Sequence, residues 1–96
     1  MLQLGAIPSP RHADIFVKLE FLEPGGSIKD RIGVGMIERA VRDGLLNPGG
    51  TIIEPTAGNT GIGLALAGVR MGFRVILCVP EHFSVEKREV MKALGG

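Results

Sequence analysis

Residues Asp14 to Phe21 alternate, with Ile15, Val17, Leu19 and Phe21 on one side and Phe16, Lys18 and Glu20 on the other, the pattern of a half-buried strand. Pro24-Gly25-Gly26 stops that strand. Ser27, with Asp30 three residues later, forms the Ser-x-x-Asp signature of a helix start, which puts Lys29 in a first helical turn. Downstream, Ile28, Ile32, Met36, Ile37, Ala40, Val41 and Leu45 recur at helical spacing and form the expected inward face, while Lys29, Asp30, Arg39 and Asp43 point elsewhere. Gly44 and the cluster Asn47-Pro48-Gly49-Gly50 end the helix.

Thr51-Ile52-Ile53-Glu54 reads as a short strand stopped by Pro55, and Thr56-Ala57-Gly58-Asn59-Thr60-Gly61 leads into a second helix running to about Met71. Between Gly61 and Gly68 that helix carries no charge, so it is expected to be buried, its glycines admitting a neighbouring backbone. Val75-Ile76-Leu77-Cys78-Val79 is a continuous apolar run of the kind found in a central parallel strand covered on both faces. Ser84 caps a third helix, with Val90, Met91 and Leu94 inward and Gly95-Gly96 at its end. The order βαβαβα predicts a three-layer α/β domain over residues 1–96, with a mostly parallel sheet flanked by helices and joined by right-handed crossovers. Ligands on such sheets bind beyond the carboxyl ends of the strands. Both glycine-rich turns, Pro24 to Ser27 and Thr56 to Gly61, follow a strand and open a helix, so they are expected side by side at that edge.

Composition narrows the function classes. Eleven basic and ten acidic residues are mixed along the chain, leaving a formal net charge of +1 and no electrostatic footprint for nucleic acid or an anionic membrane. No apolar run approaches the roughly 20 residues of a membrane span. The N-terminus has no secretory signal pattern, which favours the cytoplasm. The single cysteine, Cys78, excludes a disulfide framework and is expected as a small core residue. His12 and His82 lie apart from each other and from Cys78, so no zinc spacing or cysteine–histidine pair is evident, and both read as surface or structural residues.

Two features carry candidate chemistry. A cation in the first turn of a helix faces the positive end of the macrodipole, where Asp and Glu are favoured, so Lys29 opposes local stability. Its functional reading is a neutral amine, favoured by the dipole and partial burial, that attacks an aldehyde. Its plain reading is a solvated lysine paired with Asp30 or Asp14. The turn Thr56 to Gly61 gathers two hydroxyls, a carboxamide and backbone N–H groups at a helix N-terminus, a ready site for a carboxylate or phosphate. Its plain reading is a structural turn with Asn59 or Thr60 as N-cap. Nucleotide binding is disfavoured: Gly25 to Asp30 lacks the ending of a phosphate-binding P-loop, and Gly58, Gly61 and Gly63 do not space as G-x-G-x-x-G.

Taken together, four stretches resemble the fold-type II pyridoxal-phosphate enzymes, specifically the cysteine synthase and cystathionine β-synthase family. They are Lys18-Leu19-Glu20, Pro24-Gly25-Gly26-Ser27-Ile28-Lys29-Asp30-Arg31, Glu54-Pro55-Thr56-Ala57-Gly58-Asn59-Thr60-Gly61, and Val79-Pro80-Glu81 with Ser84. The resemblance implies pyridoxal phosphate as cofactor and makes Lys29 the lysine that forms a Schiff base with it. It makes Asn59 a contact of the cofactor's ring hydroxyl, and Thr56, Ala57, Gly58, Asn59 and Thr60 the loop that grips the substrate α-carboxylate. Threonine synthases and dehydratases usually carry a phenylalanine before the lysine, so Ser27 to Arg31 fits the sulfur-amino-acid branch better.

The implied reaction is β-replacement on a small-molecule amino acid, with O-acetylserine as preferred donor and sulfide or homocysteine as acceptor, in an enzyme that is a homodimer at full length. Two departures stand out. Ala57 occupies a position where the family more often has serine. Family members are also much longer, and their later part supplies a loop for the cofactor phosphate and a hydroxyl facing the pyridine nitrogen. These 96 residues thus resemble the cofactor-lysine portion of such an enzyme and are expected to show negligible turnover alone. The competing readings are a non-catalytic fragment or interaction module that folds without holding cofactor, and a free-standing anion-binding domain.

Overall fold

The computed structural model describes residues 1–5 and 13–96; His12 lies outside the described residues. The body of the fold is an α/β arrangement built from three helices and a parallel strand pair. Helix α1 spans Lys29–Arg42, β3 Thr51–Pro55, α2 Asn59–Arg70, β4 Arg74–Cys78 and α3 Val85–Ala93. β3 and β4 pair in parallel with Thr51 opposite Arg74 and Ile53 opposite Ile76, and α2 makes the crossover between them.

The first strand departs from the alternation pattern. Only Phe16–Val17 (β2) is extended and paired, antiparallel to β1 at Leu2–Gln3, and residues Glu20–Leu22 turn into a 3-10 segment. Arg31, on α1, binds Glu20 and Glu23 at once and so ties this turn to the start of the helix, while Phe21 is 66% exposed.

Helix α1 buries a stripe that apolar periodicity marks only at Ile37. Asp30, Gly33 and Ile37 face inward, whereas Ile28, Ile32, Met36, Val41 and Leu45 are exposed. The stripe is selected by how closely the partner helix approaches. A Cβ on Gly33 would stand 2.5 Å from the carbonyl oxygen of Gly63, and one on Gly63 would stand 2.8 Å from the carbonyl carbon of Lys29. The two helices cross with backbone on backbone, so the larger apolar side chains of α1 are held outside the contact.

Helix α2 is buried from Gly61 to Ala65 and again at Ala67 and Gly68, as its lack of charge requires. Gly68 lies on the sheet against Val75 and Ile52. The core, made of Ile37, Leu64, Ala67 and Phe73 with Leu46 and Ile52 packed against it, fills the space between α1, α2 and the strand pair. β4 is covered on one face only: Val75 is buried, Ile76 is exposed, and Cys78 is exposed rather than a core residue. The run therefore lacks, among the described residues, the second covering layer its composition suits. In α3, Ser84 Oγ accepts the Lys87 N–H and Met91 is buried, while Val90 stays exposed.

The crossing makes a paired prediction. Gly33→Ala drives a methyl into backbone and should lower stability by about 1–3 kcal/mol. Gly35→Ala, on the same helix with no atom within 4 Å of the new methyl, should raise it by about 0.5–1 kcal/mol. Urea midpoints of the two variants, shifting in opposite directions, check this.

Candidate active site

Each candidate residue sits where a strand hands over to a helix. β3 ends at Pro55, and the Thr56 N–H continues the ladder by donating to the Cys78 carbonyl at 3.2 Å, which fixes the start of the loop to the carboxyl end of the sheet. Thr56 Oγ1 accepts the Gly58 N–H at 3.4 Å. Gly58 is the N-cap of α2, and no side chain caps that helix. Neither Asn59 nor Thr60 acts as N-cap, so the first N–H groups of α2 carry the partial positive charge of the dipole without a side-chain acceptor. Asn59 is exposed, and Thr56, Ala57, Gly58 and Thr60 are half-buried.

Lys29 opens α1 and is half-buried. Its main chain is held on both sides: the N–H donates to Ser27 Oγ at 3.2 Å, and the carbonyl packs against Gly63, one turn beyond Asn59 on α2. The structure thus brings the N-terminal turns of α1 and α2 together. Among the described residues the Lys29 ammonium forms no ion pair. The two carboxylates that the plain reading of Lys29 offered as partners are engaged elsewhere, Asp14 by the Gln3 amide at 3.2 Å and Asp30 by the Gly25 N–H at 2.5 Å.

Asp30 is the residue that the periodicity reading misplaced. It is 7% exposed, buried instead of pointing outward, and its Oδ1 has no hydrogen-bond partner. Burying a carboxylate is costly, and the N-terminus of α1 offsets part of that cost. The Ser-x-x-Asp spacing signalled a helix start correctly, but the carboxylate reaches back past Ser27 to Gly25. Beside it, Arg31 joins Glu20 at 3.1 Å and also Glu23. The Arg31 guanidinium hydrogen-bonds Glu20 and holds its carboxyl below the usual glutamate range, and Lys18 adds to the effect.

A groove of about 870 Å³ runs between α1 and α2, lined by Asp30, Arg31, Val34, Leu66, Arg70 and Met71 among others. Its lining includes neither Lys29 nor any residue of the Thr56–Thr60 loop.

A family model described as "Pyridoxal-phosphate dependent enzyme" matches residues 1–96. The chain is 53% identical over 95 residues to an O-acetylserine-dependent cystathionine β-synthase of Bacillus subtilis, covering 99% of this chain and 31% of that protein. It is 47% identical over 95 residues to a cysteine synthase of Staphylococcus aureus, covering 99% of this chain and 31% of that protein. The crystal structure of cystathionine β-synthase from Bacillus anthracis superposes with a TM-score of 0.83 at 58% identity, over 99% of this chain and 36% of that one. The chain therefore spans about a third of the length of the relatives it matches.

The Arg31 network makes a pH prediction. Because the folded-state value of Glu20 is depressed, its contribution is fully present above the ordinary glutamate value of 4.5 and is lost as pH falls below it. Arg31→Met should be less stable than the parent at neutral pH, and the gap should close on acidification from 4.5 downward. Urea titrations of both proteins across that range measure it.

Proposed function

The chain belongs to the pyridoxal-phosphate-dependent enzymes, and from that premise we propose that it carries the cofactor lysine and the carboxylate-binding loop of a β-replacement enzyme making cysteine or cystathionine. The observation that carries this reading is Lys29: an amine with no ion pair among the described residues, on a main chain fixed at both sides, beside the uncapped N-terminus of α2. These residues fit the cofactor, because a Schiff-base lysine needs an amine not already committed to a carboxylate, and a carboxylate-binding loop needs unsatisfied N–H donors.

When bound, pyridoxal phosphate supplies an aldehyde for amines and an electron sink for charge developing at the substrate α-carbon. Lys29 would hold the cofactor through its Nζ, and the same amine would take and return the proton at the substrate α-carbon. Thr56, Ala57, Gly58, Asn59 and Thr60 would orient the substrate by its α-carboxylate, and Asn59, whose side chain is exposed, would hold the cofactor at its ring hydroxyl. Ala57 lacks a hydroxyl at this loop, which removes one contact and bears on the choice of donor.

We read O-acetylserine as the donor, supported by the name of the Bacillus subtilis relative, and sulfide or homocysteine as the acceptor. The whole enzyme is read as a cytoplasmic homodimer acting on small amino acids. No helix among the described residues is long and apolar enough to cross a membrane. A second reading is a folded unit that does not retain cofactor by itself, favoured by the groove between α1 and α2 being lined by neither Lys29 nor the Thr56–Thr60 loop.

Adding pyridoxal phosphate to the chain, reducing with borohydride and mapping the product by mass spectrometry tests the proposal. Label concentrated on Lys29 is expected, and label scattered over Lys18, Lys87 and Lys92 would sink cofactor binding by this chain. In a full-length enzyme, Lys29→Ala should lower turnover by about 10²- to 10⁴-fold. Ala57→Ser there should change KM for O-acetylserine against serine by about 2- to 10-fold.

A further inference from the structure

Asp30 stands out in any survey of the molecule for groups that the proposed chemistry does not use. It is the buried charged side chain of the described residues, it touches no cation, and half of its carboxylate has no partner. A buried charge of this kind needs a reason, and its contacts supply one. Oδ2 accepts the Gly25 N–H at 2.5 Å, and a Cβ on Gly25 would stand 2.9 Å from the Asp30 carboxyl carbon. The carboxylate therefore lies against the backbone of the Pro24–Ser27 turn, in the space that a side chain at Gly25 would take. Gly26 follows with φ of +78°, a conformation side chains rarely adopt, and its N–H donates to the Glu23 carbonyl at 2.8 Å.

The turn leads directly into Lys29. Its last side chain, Ser27, accepts the Lys29 N–H, and Asp30 grips its second residue from the far side of Lys29. We propose that Asp30 is a positioning residue: by clamping Gly25 it fixes the turn that sets where α1 begins and the direction in which the Lys29 side chain leaves the helix. This rests on the reading of Lys29 as the cofactor lysine, and Asp30 acts through the main chain without touching the amine. The clamp works through one acceptor oxygen, which Asn also provides and Ala does not. The negative charge is secondary, and the unpartnered Oδ1 is consistent with that.

The test uses probes that do not require cofactor. Amide hydrogen exchange at Gly25 reads the clamp, and the rate of reductive methylation of Lys29 by formaldehyde, against Lys18, Lys87 and Lys92 as internal references, reads the placement of the amine. Asp30→Ala should speed Gly25 exchange by about 10-fold or more and raise the relative methylation rate of the half-buried Lys29 by about 3-fold or more. Asp30→Asn should keep both within about 3-fold of the parent. Ile37→Val, which loosens the core without touching the turn, should leave both readouts at parent values.

The proposal is overturned if Asp30→Ala leaves both readouts unchanged, or if Ile37→Val moves them as much as Asp30→Ala does. Should Asp30→Ala fail to fold by circular dichroism, Gly25→Ala supplies the same test, because its methyl displaces the carboxylate while Asp30 remains. Unchanged Lys29 methylation in a folded Gly25→Ala protein overturns the proposal equally. Scattered pyridoxal phosphate labelling in the parent would reject the cofactor reading alone, since neither readout here depends on it.

Discussion

Contact between the backbones of α1 and α2, at Gly33 and Gly63, sets the rest of the structure. Helix axes approach this closely only where neither partner carries a Cβ, and here the carbonyls of Lys29 and Gly63 occupy the space that side chains would take. The core follows from it, because Ile37 and Leu64 are brought together on one side of the crossing and meet Phe73, just before β4, and Ile52 on β3. The candidate site follows as well. A Cβ at either glycine would push the start of α1 away from the start of α2, and with it Lys29 from the Thr56–Thr60 loop.

Charges at the head of α1 complete what the crossing begins. Lys29 is placed against the helix dipole, Asp30 with it, and Arg31 outward to Glu20 and Glu23. Each of the three consecutive residues has a different environment. The middle one is buried on backbone, the third is tied into a surface network that ties the Glu20–Leu22 turn to the helix start, and the first keeps its amine out of both arrangements. Arg31 suits its task because a guanidinium presents several donors in a fixed plane and can hold two carboxylates together.

The sequence made much of this legible. Helix α2 could be read because eight successive positions from Gly61 carry no charge, a pattern only burial permits, and β3 and β4 because glycine and proline clusters bound short apolar runs. The motifs around Lys29 and Thr56 were legible as a pair, through resemblance, where spacing alone left an anion loop and a misplaced lysine. Three things were not legible. The alternation from Asp14 to Phe21 implied a full strand, because alternation says nothing about whether a hydrogen-bonding partner is present, and among the described residues the ladder there is Leu2–Gln3 on Phe16–Val17. The inward stripe of α1 was sought among large apolar residues, whereas the contact is made by the smallest one, Gly33, and draws a carboxylate in with it. Cys78 was placed in the core on the composition of its run, but composition does not say how many faces of a strand are covered.

A lysine that holds a cofactor must satisfy two demands that oppose each other. Its side chain has to be positioned, yet any strong partner for the amine, above all a carboxylate, would compete with the aldehyde it must reach. If Lys29 is the cofactor lysine proposed above, the arrangement around it separates the two demands by assigning them to different parts of the residue. Order is imposed on the main chain, through Ser27 on the N–H and Gly63 on the carbonyl, and through Asp30 on the turn just before. The available carboxylates are occupied by a backbone amide, a glutamine and an arginine. Rigid backbone and uncommitted amine thus come from one geometry, and the buried Asp30 is an acid that the site tolerates because its hydrogen bond is spent on Gly25 rather than on its neighbour.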